Sequence, residues 1–165
     1  MHKEFMEILL EGNPFLYKTL SSFDFSTNQV DLDKLCSTMY DTMIENNGMG
    51  LAANQVGIEQ RVFIMDNEER YYFNPKIVSE SNELCIDKEG CLSFPNLFLY
   101  VNRPDKIDVN FLDIEGKNVT MLLEDLEARI FLHEFDHLEG ITFDTRVSKF
   151  KLQIARERQR KLENK

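Results

Sequence analysis

No apolar run in the 165-residue chain approaches the length that a bilayer-spanning helix requires, so no membrane partner is expected. Cysteine is scarce. Cys36, Cys85 and Cys91 are an odd, small set, which argues against a disulfide framework and for a reducing compartment. A thiol kept reduced remains available to a metal ion. No internal repeat, low-complexity tract or Pro/Ser-rich linker interrupts the chain, and its length suits one domain with one core. The opening residues Met1-His2-Lys3-Glu4-Phe5 turn acidic early and lack the apolar stretch of a secretory leader. Glu4 and Glu7 also argue against a transit peptide.

Against these absences, 42% hydrophobic and 29% charged residues describe an ordinary globular protein. The net charge of −10 is unevenly spread. From Ser148 to Lys165 seven basic residues face two acidic ones, giving +5 and leaving −15 on the first 147 residues. A basic tail on an acidic body suggests a polyanionic partner at that end, or simply a solvated helix face.

Patterning sets the fold class. Asp31 is a helix N-cap candidate, and Leu32, Leu35, Met39 and Met43 predict a helix over about 31–46, ended by Asn46-Asn47-Gly48. Residues 61–66 form a short β-rich run. Ile107, Val109 and Phe111 alternate with polar neighbours as in a half-buried strand, and 113–117 predicts a hairpin turn into a strand over 119–123. A helix over about 124–139 carries Leu126, Ile130, His133 and His137, with Gly140 at its C′ position. Phe150, Leu152 and Ile154 predict a terminal helix. Helices around a strand-rich middle give an α+β fold with mainly antiparallel sheets, packed around a central metal-binding helix and followed by a C-terminal helix.

The strongest chemical signal is His133-Glu134-Phe135-Asp136-His137, an H-E-x-x-H pattern. Positions i and i+4 share one helix face, so two imidazoles can reach one ion while Glu134 sits beside its open side. Two of the three histidines in the chain fall here. A catalytic divalent site needs a third protein ligand. No histidine follows His137, which excludes a third downstream histidine. Glu139, Asp144 or a thiolate from elsewhere stay open. Glu89-Gly90-Cys91-Leu92-Ser93 offers such a thiolate before a loop broken by Pro95, although a free cysteine is commonly a small buried apolar residue. Gly48-Met49-Gly50-Leu51-Ala52-Ala53-Asn54-Gln55 allows close backbone approach, and Gln55 can donate an N–H to a developing oxyanion. It is not a phosphate loop, because it lacks the Gly-Lys-Ser/Thr ending.

Taken in order, Gly48–Gln55, Glu89–Ser93 and His133–His137 resemble the G-x-G-L-A-A-x-Q, E-G-C-L-S and H-E-x-x-H segments of the peptide deformylases. Val101-Asn102-Arg103 is similar to the V-x-R stretch of that family. The resemblance runs from about residue 30 to 147. It implies metal ligation by Cys91, His133 and His137, with water in the fourth position. Glu134 would be the general base and then the acid. Gln55 and the backbone N–H of Leu92 would stabilise the oxyanion. Gly50 would hold the substrate backbone, and Met49, Gly90, Leu126, Ile130 and the His133 ring would line a methionine pocket. The implied reaction is removal of the formyl group from the N-terminal formyl-methionine of nascent polypeptides, releasing formate. The implied cofactor is one divalent ion, Fe(II) by resemblance, with zinc, nickel or cobalt able to replace it in a purified sample. The implied division is a catalytic domain over 1–147 and a basic helix over 148–165 within the same domain. The expected setting is cytoplasmic, bacterial or that of a host if viral, with a monomer as the default and the ribosome as a partner of the basic helix.

The chain departs from the family near its start, where Asn13-Pro14-Phe15-Leu16-Tyr17 lacks the arginine of a P-x-P-x-L-R segment. Asn96-Leu97-Phe98-Leu99-Tyr100 is also unusually apolar. Both departures concern substrate preference beyond methionine. The competing readings are a zincin-type endopeptidase, which Cys91 would not serve as ligand, and a non-catalytic metal-binding or ribosome-interaction module.

Overall fold

The computed structural model describes residues 4–27, 30–66 and 70–164. The leader reading at residues 1–3 and the last residue of the basic segment lie outside them. Helix α1, Leu32–Glu45, begins where Asp31 accepts a hydrogen bond from Lys34 N at 3.0 Å and ends at the cap Asn46. It buries Cys36, Met39 and Met43 along one face. Leu32 and Leu35, expected on that face, are only partly buried against the core.

Five strands form one antiparallel sheet in the order β1-β2-β3-β6-β7. They are β1 Gly50–Ala52, β2 Val62–Met65, β3 Arg70–Glu80, β6 Lys106–Leu112 and β7 Asn118–Glu124. The predicted hairpin at 113–117 joins β6 to β7, with Ile107 opposite Leu123 and Phe111 opposite Val119. β3 was not legible in the pattern, because Asn74-Pro75 interrupts it. Asn74 has φ +49° at a shift in the β3–β6 register, and its side chain grips Phe23 through both the N–H and the carbonyl. The strand survives the interruption because tertiary partners hold the irregular residue.

β4, Leu84–Cys91, and β5, Phe94–Pro104, form a separate two-stranded antiparallel hairpin. The loop expected around Pro95 is therefore corrected to strand. Pro95 is tolerated because the register jumps there, from Cys91 opposite Phe94 to Gly90 opposite Phe98. Pro95 has no ladder partner whose hydrogen bond it would break.

Helix α2, Asp125–Leu138, packs across the five-stranded sheet. Phe131 meets Phe63 edge-on at 5.0 Å and Tyr72 at 5.4 Å, so α2 is seated by aromatic rings from β2 and β3. Gly140 adopts φ +69° just after the helix. A Cβ there would lie 2.5 Å from the Tyr17 carbonyl oxygen, so the position requires glycine. Helix α3, Lys149–Glu163, is capped by Ser148 and packs on β5. Phe94, Leu97, Leu99, Val101 and Phe143 form a second buried cluster, with Leu152 and Ala155 of α3 packed against it. The architecture is α+β, as the pattern predicts.

Candidate metal centre

α2 brings His133 and His137 to one side, with ring centroids 5.1 Å apart. Cys91 reaches them from the end of β4, and its Sγ lies 3.3 Å from His137 Nε2. Among the described residues, Cys91, His133 and His137 form the group that could hold a metal ion, with ligand atoms all within 4.8 Å of one another. Glu139 and Asp144, open from sequence, do not join it. Glu139 pairs instead with Arg61 at 2.7 Å.

The donor set fits a divalent ion. Soft sulfur with two imidazoles suits iron(II), zinc or nickel. His133 Nδ1 is 3.0 Å from Glu89 Oε2, which leaves its Nε2 free to face the site. Burial holds His137 well below its usual pKa, with His133 and Arg103 acting in the same direction. Neutral imidazole is the form that ligates a cation. Burial would lower His133 too, but its contacts with Cys91 and Glu89 outweigh that and raise it to about 10. A cation at Nε2 competes with that proton, while Glu89 secures the proton on Nδ1.

Behind the histidines lies a buried ionic network. Arg103 forks onto Glu89, with Nε to Oε1 at 2.6 Å and Nη2 to Oε2 at 3.0 Å, and reaches Asp136 Oδ2 at 2.9 Å. Arg129 donates to Glu89 Oε1 at 2.8 Å and to the carbonyls of Val101 and Cys85. Arg146 bonds both oxygens of Asp136. Burial works against the Glu89 carboxylate, but hydrogen bonds from His133 and Arg103 hold its pKa down at about 2. Glu89 thus orients a ligand, and Asp136 ties the helix to β5. Sequence reasoning passed over Glu89 and Arg103 although both stand inside quoted segments. It also passed over Arg129, Arg146, Ser93 and Asn54, whose Nδ2 donates to the His137 carbonyl at 2.6 Å. A buried charge with its partner far along the chain leaves no local pattern.

Glu134 points to the same side as the ligands. It is 4% exposed, and its Oε2 is buried without a hydrogen-bond partner. Burial pushes its carboxyl up to about 7, with Glu89 and Asp136 adding to the rise and His133 and Arg103 opposing it. A Cβ on Gly50 would sit 2.5 Å from Glu134 Oε1, so β1 needs glycine here to admit the carboxylate. The glycine-rich segment is structured: β1 leads into a 3-10 turn over Ala53–Val56. Gln55 Oε1 accepts from Ala52 N at 2.9 Å, and its Nε2 donates to Ser93 Oγ at 3.1 Å and approaches Cys91 Sγ at 3.5 Å. Two backbone bonds from the N-terminal segment, Leu9 N to Gln55 O and Glu11 N to Ser93 O, brace this corner.

A cavity of 520 Å³ opens onto the group. Met49, Gly50, Gly90, Leu92, Leu126 and Ile130 all line it. Met49 and Leu126 are about half exposed at its mouth. Its size and largely apolar wall suit a small side chain or peptide end.

An H-E-x-x-H helix seated on an antiparallel sheet, with a thiolate delivered by a separate hairpin, defines a metal-dependent hydrolase. The family model described as "Polypeptide deformylase" matches residues 5–153. A peptide deformylase of Thermotoga petrophila is 39% identical over 152 residues, covering 89% of this chain and 90% of the relative. Among solved structures, a Met-Ala-Ser-bound class I type b peptide deformylase from Acinetobacter baumannii superposes with a TM-score of 0.83. It shares 31% identity, over 88% of this chain and 100% of that one. The actinonin complex of a Synechococcus elongatus peptide deformylase gives a TM-score of 0.87 at 30% identity, over 93% and 87%. The chain belongs to the polypeptide deformylase family and is an enzyme of that kind.

Proposed function

We propose that this chain hydrolyses the formyl group from N-terminal formyl-methionyl peptides, with Cys91, His133 and His137 holding one divalent ion and Glu134 moving the protons. The observation that carries this is the buried, unpartnered Glu134 Oε2 beside the Cys/His/His group, with a carboxyl held near neutrality. When bound, a divalent ion supplies the Lewis acidity that brings a water toward ionisation at neutral pH. Glu134 accepts the proton of the attacking water and then delivers it to the departing amine, a poor leaving group that needs it. A carboxyl whose hold on a proton is strengthened by burial can do both within one turnover. Gln55 Nε2 and the N–H of Leu92 donate to the oxygen that becomes negative. Gln55 is suited to this because its Oε1 is already fixed by Ala52 N, which aims the amide nitrogen at the thiol side of the site. Gly50 holds the substrate backbone, and Met49, Gly90, Leu126 and Ile130, with the His133 ring, receive the methionine side chain. The Met-Ala-Ser carried by the Acinetobacter baumannii relative is the peptide expected once formate has left.

By family resemblance the ion is Fe(II), with zinc, nickel or cobalt able to replace it. Residues 1–147 and 148–165 form one unit. Supporting this, Gln159 donates to the Pro95 carbonyl at 2.8 Å and Arg156 pairs with Glu11. The exposed Lys149, Lys151, Arg158, Arg160 and Lys161 offer ribosomal RNA a cationic face. No helix of the described residues is long and apolar enough to cross a membrane. A cytoplasmic monomer acting on nascent chains fits these features. Deletion of 148–165 should reduce co-sedimentation with ribosomes at low salt, and unchanged co-sedimentation would remove the ribosome as partner.

The decisive assay is formate release from formyl-Met-Ala-Ser by metal-loaded protein. Glu134→Gln should lower kcat by at least about a hundredfold while metal content and circular dichroism hold. Formate release no greater in the wild type than in Glu134→Ala would refute the function. Cys91→Asp should abolish activity or change the metal bound. Unchanged formate release and metal content in this variant would remove Cys91 from the ligand set.

A further inference from the structure

The β4–β5 hairpin breaks the alternation expected of a ribbon with one buried face. Its inner side buries Leu97, Leu99 and Val101 in the second cluster. Its outer side is apolar too, yet open: Leu84, Ile86, Phe98 and Tyr100 are 59%, 60%, 49% and 58% exposed. The register joins them into one patch, since Gly90 opposes Phe98, Lys88 opposes Tyr100 and Ile86 opposes Asn102. Alternate residues share a face, so Lys88 and Ile86 neighbour Phe98 and Tyr100, and Leu84 extends the row further on, opposite Pro104. Lys88 does not break the patch, because its Nζ lies 4.4 Å above the Phe98 ring.

One end of this patch is part of the cavity wall, where Lys88, Gly90 and Phe98 line the pocket. A Cβ on Gly90 would be 3.0 Å from the Phe98 ring, so glycine lets that ring lie close over the strand. From there the apolar face leads away toward Leu84. Six residues of strand cover about 20 Å, and an extended peptide covers the same distance in about six residues.

We propose that this face is a track for the continuation of the substrate chain beyond the pocket, favouring apolar side chains at about its fourth to seventh residues. The inference rests on the deformylase function proposed above. Its occupant is an unfolded N-terminal segment, whose apolar side chains are not yet buried in a core. Continuity with the pocket is what distinguishes that occupant, because a peptide leaving the mouth past Phe98 meets Tyr100, Ile86 and Leu84 next.

The test uses the metal-loaded full chain and three substrates: formyl-Met-Ala-Ser and two formylated octapeptides that begin with it. The octapeptides carry Leu and Val, or Ser and Gly, at positions four to seven. The apolar octapeptide should show a KM at least about fivefold lower than the polar one. The Ile86→Ser/Tyr100→Ser variant, which leaves the pocket walls intact, should lose that preference and keep wild-type kcat/KM on the tripeptide. Equal KM values for the two octapeptides in the wild type, or an undiminished preference in the variant, would overturn the track. So would sedimentation showing a dimer that the variant dissolves, because the face would then belong to a second copy. Fluorescence anisotropy with labelled, unformylated octapeptides separates the two proposals. Tighter binding of the apolar peptide by a protein that releases no formate would keep the track and reject the chemistry. Activity on the tripeptide with equal binding of both octapeptides would do the reverse.

Discussion

The five-stranded sheet and the β4–β5 hairpin are both antiparallel, yet they hold the site by different forces. On the sheet, Ile107, Val109, Phe111 and Leu123 turn into the main core while Lys106, Asp108 and Asn110 turn away from it. Its contribution to α2 is aromatic packing through Phe63, Tyr72 and Phe131. The hairpin instead contributes Cys91, Glu89 and Arg103, and it meets α2 through charge. Apolar packing is non-directional and fixes where the helix lies. Bidentate ion pairs are directional, and the one that holds Glu89 fixes how His133 is turned.

The largest effect separating the two should come from Phe131→Ala. It removes the ring between β2 and β3 and should cost about 3–5 kcal/mol, read from the urea midpoint. A variant as stable as wild type would break the view that the sheet seats α2 by packing. Arg103→Met should come next, at about 3 kcal/mol. Glu89 keeps Arg129 and Asp136 keeps Arg146, which limits the damage to stability. Because Glu89 also turns His133, this variant should lose metal affinity out of proportion to its stability, a split that dialysis against a chelator would reveal.

Acid should act on the hairpin side first. The Glu89 pKa is depressed from 4.5 to about 2. Its stabilisation is therefore fully present above about pH 4.5 and lost as pH falls through about 2. Urea midpoints between pH 5 and 2 should fall less steeply in Glu89→Gln than in wild type. The smallest effect belongs to Lys106→Gln on the sheet, which removes an exposed pair with Glu124 and should leave the urea midpoint unchanged.

The same division explains what could be read without coordinates. α1, the β6–β7 hairpin, α2 and α3 were legible to within a residue or two, because each carries its own period and three of them a readable cap or turn: Asp31, the 113–117 turn and Gly140. β3 and the hairpin strands were not. Asn74-Pro75 interrupts one, Pro95 suggests a loop in another, and β4 is largely exposed with no apolar alternation to detect.

The three chemical segments stood in plain view at 48–55, 89–93 and 133–137, and i, i+4 spacing alone placed both histidines on one face. The sequence by itself therefore determined the residue types and the helix that pairs two ligands. Only the tertiary structure decided that Cys91, and neither Glu139 nor Asp144, stands within ligand distance of both histidines. It alone showed that Glu89, held by Arg103, orients His133, that Gly50 makes room for Glu134, and that the outer face of the hairpin stays open. The physical reason is range. Periodicity and capping are local and are written in neighbouring residues. A buried charge is stable only beside a partner that folding brings from 14 or 44 positions away.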